Sequence, residues 1–146
     1  MCLTKVYQKK YKKSEVPITC YKIAKRFHRG GEVKYFSTIR GFQYKLGKKY
    51  TENSMHLREL NRLDYLEAGV FHSYSQIIMY DLSFIRWSNG QNAIMDFDWE
   101  YVILECVIPP GTPYWVGRGH VFASRSIKVI KDIDPKDFPD ELTIGL

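Results

Sequence analysis

One stretch, residues 102–116, constrains the fold more than any other part of the chain. Its first half, residues 102–108, is the most apolar and β-branched run in the sequence, which is typical of a strand covered on both faces. Residues 109–111, Pro-Pro-Gly, end this strand because proline cannot donate ladder hydrogen bonds, and the glycine permits the positive φ of a tight turn. A second run starts at residues 114–116, so the stretch predicts a central β-hairpin.

Glu105 is the charged residue inside this apolar run. An unpaired carboxylate in such a strand is costly to bury, so Glu105 needs either a cation or contact with solvent. Two interpretations stay open: an ion pair with Lys22 or Arg125, or a position facing a polar cleft. Its neighbour Cys106 is predicted to be a small buried side chain rather than a nucleophile, because no Cys-His spacing accompanies it.

The length and composition predict one folded unit. A chain of 146 residues with 45% hydrophobic and 15% aromatic residues can bury a core of its own. We expect a basic N-terminal arm (1–16), a single α+β domain (17–133) and a C-terminal tail (134–146). Three widely spaced cysteines and the lack of a run of about 18 apolar residues favour a reduced, cytoplasmic protein without a membrane span.

The net charge of +6 is unevenly distributed. Residues 1–60 carry 15 Lys and Arg against 4 Asp and Glu, whereas residues 61–146 carry 7 against 12. A basic half suits an anionic partner such as a nucleotide or a nucleic acid. A solvated surface that confers solubility is the alternative, and an acidic protein partner is a third possibility.

The remaining pattern predicts a mostly antiparallel sheet with one or two helices. Strands are expected at 18–24, 33–39 and 70–75, together with a short strand within 40–50 that buries Phe42 and Leu46. An irregular helix or extended loop is expected at 51–69. A helix at 76–87, capped by Ser75, should be followed by a turn at 88–92. The class is therefore α+β.

Asp96, Asp98 and Glu100 alternate with aromatic residues, which predicts three carboxylates on one face of an approaching strand or loop. Such a row can hold a hard cation through oxygen ligands, but a solvated face is its commoner use. The sequence has no zinc or EF-hand spacing, so we predict no metal site.

The residues 105–112, Glu-Cys-Val-Ile-Pro-Pro-Gly-Thr, resemble a strand of the ADP-ribosyltransferase fold, in which the catalytic glutamate precedes an apolar run and a proline. In the same order along the chain, residues 20–23 would match the strand that carries an NAD-binding cation, with Lys22 where an arginine is usual. Residues 71–75 would match the serine-bearing middle strand.

A second similarity covers most of residues 20–131 and is to small uncharacterised domains of bacteria and phages. The shared features are Tyr21-Lys22, the block 40–50 (RGFQYKLGKKY), the block 69–72 (GVFH) and the hairpin 107–114. This resemblance implies a phage or mobile-element accessory protein and supplies no activity.

The resemblance to the ADP-ribosyltransferase fold implies a nucleotide- or NAD-type ligand, with NAD as a possible substrate, and a set of site residues. Glu105 would be catalytic and would stabilise an oxocarbenium-like centre. The ligand-binding residues would be Tyr21, Lys22, Arg40, His72, Ser73, Tyr74 and Trp115, with Lys22, Arg40 or His72 facing the diphosphate and Tyr74 or Trp115 stacking on a ring. Catalysis by Glu105 as an ADP-ribosyltransferase or NAD glycohydrolase is the alternative to ligand binding alone, and a structural histidine is the alternative for His72.

Overall fold

The computed structural model describes residues 4–5, 11–38, 41–51, 57–60, 63–66, 71–117 and 120–145. The described part is mostly antiparallel sheet with one α-helix, so the predicted α+β class is confirmed. The strands are β1 Thr4–Lys5, β2 Ile18–Arg29, β3 Glu32–Ser37, β4 Gln43–Tyr44, β5 Lys49–Thr51, β6 Leu57–Leu60, β7 Leu63–Leu66, β8 Phe71–Tyr74, β9 Ile77–Ile78, β10 Trp99–Ile108, β11 Tyr114–Gly117, β12 Val121–Ser124, β13 Ser126–Ile133 and β14 Thr143–Ile144. Helix α1 spans Met79–Ile94, and two 3₁₀ turns, Pro135–Asp137 and Asp140–Leu142, precede β14.

Strand β10 is central, as predicted, but it is not part of a hairpin with β11. It pairs with β2 along its whole length and with β13 over residues 103–107. The predicted turn forms, with Gly111 at a φ of 75°, yet β11 pairs with β12 at the far end of the sheet. The hairpin prediction is wrong because β2 and β13 already occupy the two edges that β11 would need.

The large sheet runs in the order β11-β12-β8-β2-β10-β13-β5, with β3 beside the second half of β2 and β4 beside β3. Its two faces pack into separate cores. The inner face buries Cys20, Ala24, Tyr35, Tyr44, Val102, Leu104, Cys106, Ile108, Ile127 and Val129. The helix face buries Tyr21, Ile103 and Ile77 against Leu82 and Ile85 of α1 and against Phe138. The apolar run in β10 reflects this burial on both sides, since alternate residues enter alternate cores.

The segment 43–51 links two distant edges of this sheet. Its start, β4, pairs with β3, and its end, β5, pairs with β13, while Gly47 between them donates a hydrogen bond to the Val129 carbonyl at 2.7 Å. The segment thereby crosses the inner face. Tyr44, 4% exposed, is the buried side chain here. The prediction that Phe42 and Leu46 are buried is wrong, because they are 44% and 43% exposed.

Helix α1 starts and ends later than the sequence predicted. It begins after Ile78, which makes no side-chain cap, and it continues through the predicted turn at 88–92. The asparagines that suggested a turn are used by the neighbouring strand instead. Asn89 bonds both the N–H (2.6 Å) and the carbonyl (2.8 Å) of Tyr101, and Asn92 donates to the Trp99 carbonyl at 3.2 Å. These groups lie on the edge of β10 before its pairing with β13 begins.

The described residues of the segment 51–69 form strands rather than the predicted irregular helix or extended loop. Strands β6 and β7 pair antiparallel, and β1 pairs with β7. The leucines whose spacing of three suggested a helix are instead paired across the two strands, Leu57 with Leu66 and Leu60 with Leu63.

Described segments near both ends of the chain contact the rest of the fold. Lys12 forms a backbone bridge with Tyr114, and Ser14 accepts a hydrogen bond from the Gly111 N–H at 2.8 Å. At the other end Phe138 is 2% exposed, and β14 pairs parallel with β9. Among the described residues, no helix has both the length and the apolar character that crossing a membrane requires.

Candidate functional site

Glu105, the predicted catalytic residue, lies on the helix face beside a lysine. Its cross-strand neighbour on β13 is Lys131, whose Nζ is 4.0 Å from Oε2, rather than Lys22 or Arg125. The side chains are 26% and 60% exposed, so this pair is in contact with water. Such a pair stabilises the fold weakly, and a catalytic role for Glu105 stays a prediction.

Two of the predicted ligand residues adjoin Glu105. Tyr21 is its cross-strand neighbour on β2, and Tyr74 in turn pairs with Tyr21 from β8. Burial and the nearby Glu105 charge raise the pKa of Tyr21. The ring of Phe138 contacts Tyr21 edge-on at 5.1 Å between centroids, so C-terminal residues cover this part of the predicted site.

Lys22 and Ser73 lie on the opposite, inner face. Lys22 donates a hydrogen bond from Nζ to the His72 carbonyl oxygen, and its Nζ is 5.6 Å from the centroid of the Tyr44 ring. Ser73 is fully buried near Cys20. Burial raises the pKa of the Cys20 thiol to about 11, although Ser73 and the Lys22 charge oppose the shift.

His72 on β8 and Trp115 on β11 are the cross-strand neighbours of Ala123 on the two sides of β12. Their side chains therefore lie on the same face of the sheet. Trp115 is 3% exposed, and the ring of Tyr11 packs on it edge-on at 5.8 Å. Arg40 lies outside the described residues. The structure thus divides the predicted ligand residues between two faces.

A shallow groove of about 670 Å³ lies over β3 and β4, and it is lined by Glu32, Val33, Lys34, Tyr35, Gln43, Tyr44, Lys45 and Leu46. None of the predicted site residues contributes to this lining. Tyr35 links the groove to a polar network that the sequence did not reveal.

That network, the Arg26 network, joins four strands at one end of the inner face. Arg26 donates from Nε (3.0 Å) and Nη2 (2.5 Å) to Glu100 Oε1, and from Nη1 to Asp132 Oδ2 at 2.6 Å. The Tyr35 hydroxyl donates to the same Asp132 oxygen at 2.8 Å, and His28 Nε2 is 2.9 Å from Glu100 Oε1. One guanidinium therefore binds two carboxylates, an arrangement that stabilises the fold rather than one that leaves a site open to a ligand.

The ionisation of these groups reflects their contacts. Burial disfavours the charged form of Glu100, but hydrogen bonds from His28 and Arg26 outweigh it and lower the pKa of that carboxyl. The pKa of Asp132 is likewise lowered, because hydrogen bonds from Tyr35 and Arg26 exceed the effect of burial. Burial and the bond to Asp132 raise the pKa of Tyr35 to about 12.

The three acids that the sequence placed on one face do not act together. Asp96 lies in the turn after α1 with a φ of 57°, Asp98 accepts from Arg29 at 2.7 Å, and Glu100 belongs to the Arg26 network. The predicted row is wrong because the regular strand begins only at Trp99. In the described part of the chain, no group of three or more His, Cys, Asp and Glu side chains is placed to hold a metal ion.

A second feature missed from sequence lies on the helix face where β3, β2 and β10 run side by side. Four half-buried rings, Phe27, Phe36, Trp99 and Tyr101, form what we term the aromatic platform. Trp99 faces Phe27 across the strands, and centroid distances are 5.5 Å for Phe27–Phe36, 6.3 Å for Phe27–Trp99 and 5.2 Å for Trp99–Tyr101. The four rings therefore form one cluster, in which Phe36 meets Phe27 and Tyr101 meets Trp99 edge-on.

Basic side chains lie on this platform. Lys25 Nζ is 4.7 Å from the centroid of Trp99 and 6.0 Å from that of Tyr101, and the Arg29 guanidinium carbon is 5.0 Å from Phe27. Cations at these distances are attracted by the ring faces. The alternation of Lys25, Phe27 and Arg29 on β2 was visible in the sequence, but their partners on β3 and β10 were not.

Chemically, the platform offers π-faces and positive charge side by side on a rigid sheet. That combination suits a planar, negatively charged ligand. Comparison of the chain with family models, with curated proteins and with solved structures gave no match in any of the three searches.

Proposed function

We propose that this protein binds single-stranded nucleic acid on the aromatic platform. The observation that carries the proposal is the set of four contiguous rings on three neighbouring strands, with Lys25 over two of them. Bases of any sequence can stack on such rings, and Lys25, which lies over Trp99, would move to contact a phosphate when a base stacks there. The net charge of +6 favours the same class of ligand.

The proposal is tested by fluorescence anisotropy with labelled 12-mers of dT and U. We expect Trp99→Ala to weaken binding roughly 5- to 150-fold, because stacking of one base on an aromatic ring contributes about 1–3 kcal/mol. Lys25→Gln should reduce the slope of log K against log salt by about 1, since it removes one phosphate contact.

Tyr11→Ala is the matched control. Tyr11 is also an exposed ring with a lysine near it, Lys13 at 5.7 Å, but it contacts β11 at the other end of the sheet. It should leave the affinity within about twofold of the parent, a difference of roughly 0.4 kcal/mol. Equal losses from Tyr11→Ala and Trp99→Ala, or no binding by the parent protein at low salt, would reject the proposal.

A nucleotide- or NAD-type ligand near Glu105 is the second candidate, with ADP-ribosyl transfer or NAD hydrolysis as its catalytic form. The adjacency of Glu105, Tyr21 and Tyr74 supports it. Incubation with NAD should then release nicotinamide, and Glu105→Gln should abolish that release. A thermal-shift panel of NAD, ADP-ribose and cyclic dinucleotides tests binding without catalysis, and a flat panel together with no release removes this candidate.

A further inference from the structure

The outward face of α1 carries large aromatic side chains that the fold leaves exposed. Tyr80, Phe84 and Trp87 are 79%, 50% and 62% exposed, and their spacing of four and three residues places them on one stripe. The sixteen residues of α1 include two charged ones, Asp81 and Arg86. Surface helices normally carry charged residues on the outward face, so this stripe has the composition of a contact surface.

Part of this stripe continues the aromatic platform. The ring of Phe84 is 6.3 Å from that of Tyr101, and Trp87 follows at 6.2 Å from Phe84. The rings from Phe27 to Trp87 thereby form an uninterrupted series that leaves the sheet at Tyr101 and crosses onto the helix. Lys25 lies 6.0 Å from Tyr101, at the junction between the two parts.

The charge along this path suits a polyanion. Between Asp81 and Asp96 the sequence contains no carboxylate, so Phe84 and Trp87 lie on a segment that would not repel a phosphate backbone. An acidic or neutral protein would also tolerate such a surface. The direct continuity with a platform that carries Lys25 favours the nucleic acid.

We infer that a strand bound on the platform continues onto α1, where Phe84 and Trp87 each stack a further base. The preferred ligand is then an oligonucleotide long enough to reach both surfaces, rather than a mononucleotide or a dinucleotide. This inference rests on the proposed function, and it adds the length of the ligand and the direction in which it leaves the sheet.

The test is a length series of dT and U oligonucleotides from 2 to 12 nucleotides, measured with the parent protein and with Phe84→Ala/Trp87→Ala. The parent should gain affinity with length until both surfaces are occupied. The double variant should bind the shortest oligonucleotides as the parent does, and it should lose about tenfold or more on the longest, since stacking contributes about 1–3 kcal/mol per base. Tyr80→Ala, an exposed aromatic on the same stripe outside the ring series, is the matched control and should follow the parent at every length.

The outcomes separate this inference from the proposed function. If short oligonucleotides bind and Trp99→Ala weakens them, but the double variant shows the parent's length dependence, the inference is overturned and the platform stands. Binding at no length overturns both. Sedimentation velocity tests the protein alternative: self-association that Phe84→Ala/Trp87→Ala abolishes, with nucleic-acid affinity unchanged, would assign the stripe to a second copy of the chain and overturn the inference. Both side chains are at least half exposed, so the variant should keep the parent's circular dichroism and melting temperature.

Discussion

Replacing Arg26 with methionine should destabilise the protein far more than the same change at Arg29. Both residues are on β2 and both pair with acids near the start of β10, but their surroundings differ. The Arg26 side chain is 20% exposed and its two carboxylate partners 32% and 25%, whereas Arg29 and Asp98 are 70% and 45% exposed. Arg29→Met is therefore a matched control in which the same chemistry operates in water.

The expected magnitude follows from the hydrogen bonds that the substitution removes. Arg26 donates three hydrogen bonds to carboxylate oxygens, and a hydrogen bond to a charged group contributes about 1.5–3 kcal/mol when it is shielded from water. Two of the bonds share one oxygen, and the side chains are partly exposed to water. We therefore expect Arg26→Met to lower the free energy of unfolding by about 2–4 kcal/mol at pH 7. Arg29→Met should cost less than about 1 kcal/mol.

The pH dependence makes the test sharper. The pKa values of Glu100 and Asp132 are lowered in the folded protein from ordinary values of 4.5 and 3.8. Carboxyl groups with lowered pKa values stabilise the fold above the unfolded pKa, and that contribution is lost as the pH falls through the folded pKa. The difference between the parent and Arg26→Met should therefore be constant near pH 7 and shrink below the ordinary values.

Urea denaturation followed by circular dichroism measures these differences. With a slope of about 2 kcal/mol/M, the loss at Arg26 should lower the midpoint by about 1–2 M at pH 7. A loss at Arg26 no larger than that at Arg29, or one that persists unchanged at pH 3, would refute the assignment of stability to the ionised Arg26 network.

Three further changes test other parts of the fold. Asn89→Ala leaves the Tyr101 N–H and carbonyl without their partner, so it should lower the free energy of unfolding by about 2–3 kcal/mol in urea denaturation. The control Gln91→Ala, at an exposed position on the same helix, should lower it by about 0.5 kcal/mol or less. Equal losses would contradict the role of Asn89. Leu104→Ala, at a position with 0% exposure on the inner face, should cost about 2–5 kcal/mol, whereas Ile130→Ala at a 39% exposed position should cost about 1 kcal/mol or less; similar losses would argue against an enclosed inner core. Cys20 and Cys106 are fully buried, and burial raises the pKa of both thiols, that of Cys20 to about 11. Alkylation at pH 8, followed by peptide mapping, should therefore label neither thiol until urea is added. Labelling of either thiol in the native protein would contradict their burial.

The sequence predicted the central strand because burial on both faces leaves a readable signal. The run 102–108 and its Pro-Pro-Gly end identified β10 and its last residue correctly. Which strands pair with β10 was not readable, since partners such as β2 and β13 are remote in sequence. The hairpin prediction used proximity in sequence, and the two strand edges of β10 were occupied from elsewhere.

Other departures from simple sequence patterns have local physical causes. The asparagines at 89 and 92 favour turns in isolation, but here the free edge of β10 supplies their hydrogen-bond partners and the helix continues. In β13 a register shift opposite Glu105 and Cys106 leaves Ile130 without a counterpart. Ile133 consequently faces α1 while Ile127 and Val129 face the inner core, although alternation alone would have placed all three together.

The candidate site was less predictable than the fold. The aromatic platform draws one ring from β3, one from β2 and two from β10, and none of these segments alone has an unusual composition. Glu105 was singled out correctly as an acid in an apolar strand. Its lysine partner was not, because the register of β13 determines which cation lies beside it.

The crossing of the inner face by residues 43–51 has a consequence for how this protein can evolve new contacts. Because residues 43–51 connect distant edges of the sheet, the inner face has little freedom to open. Substitutions on that face are therefore restricted by close packing. Among the described residues, no segment crosses the platform on the helix side in this way, so exposed side chains there can change with less effect on packing than those of the inner face. Variation that alters recognition should therefore accumulate on one surface of the sheet while the other stays nearly fixed.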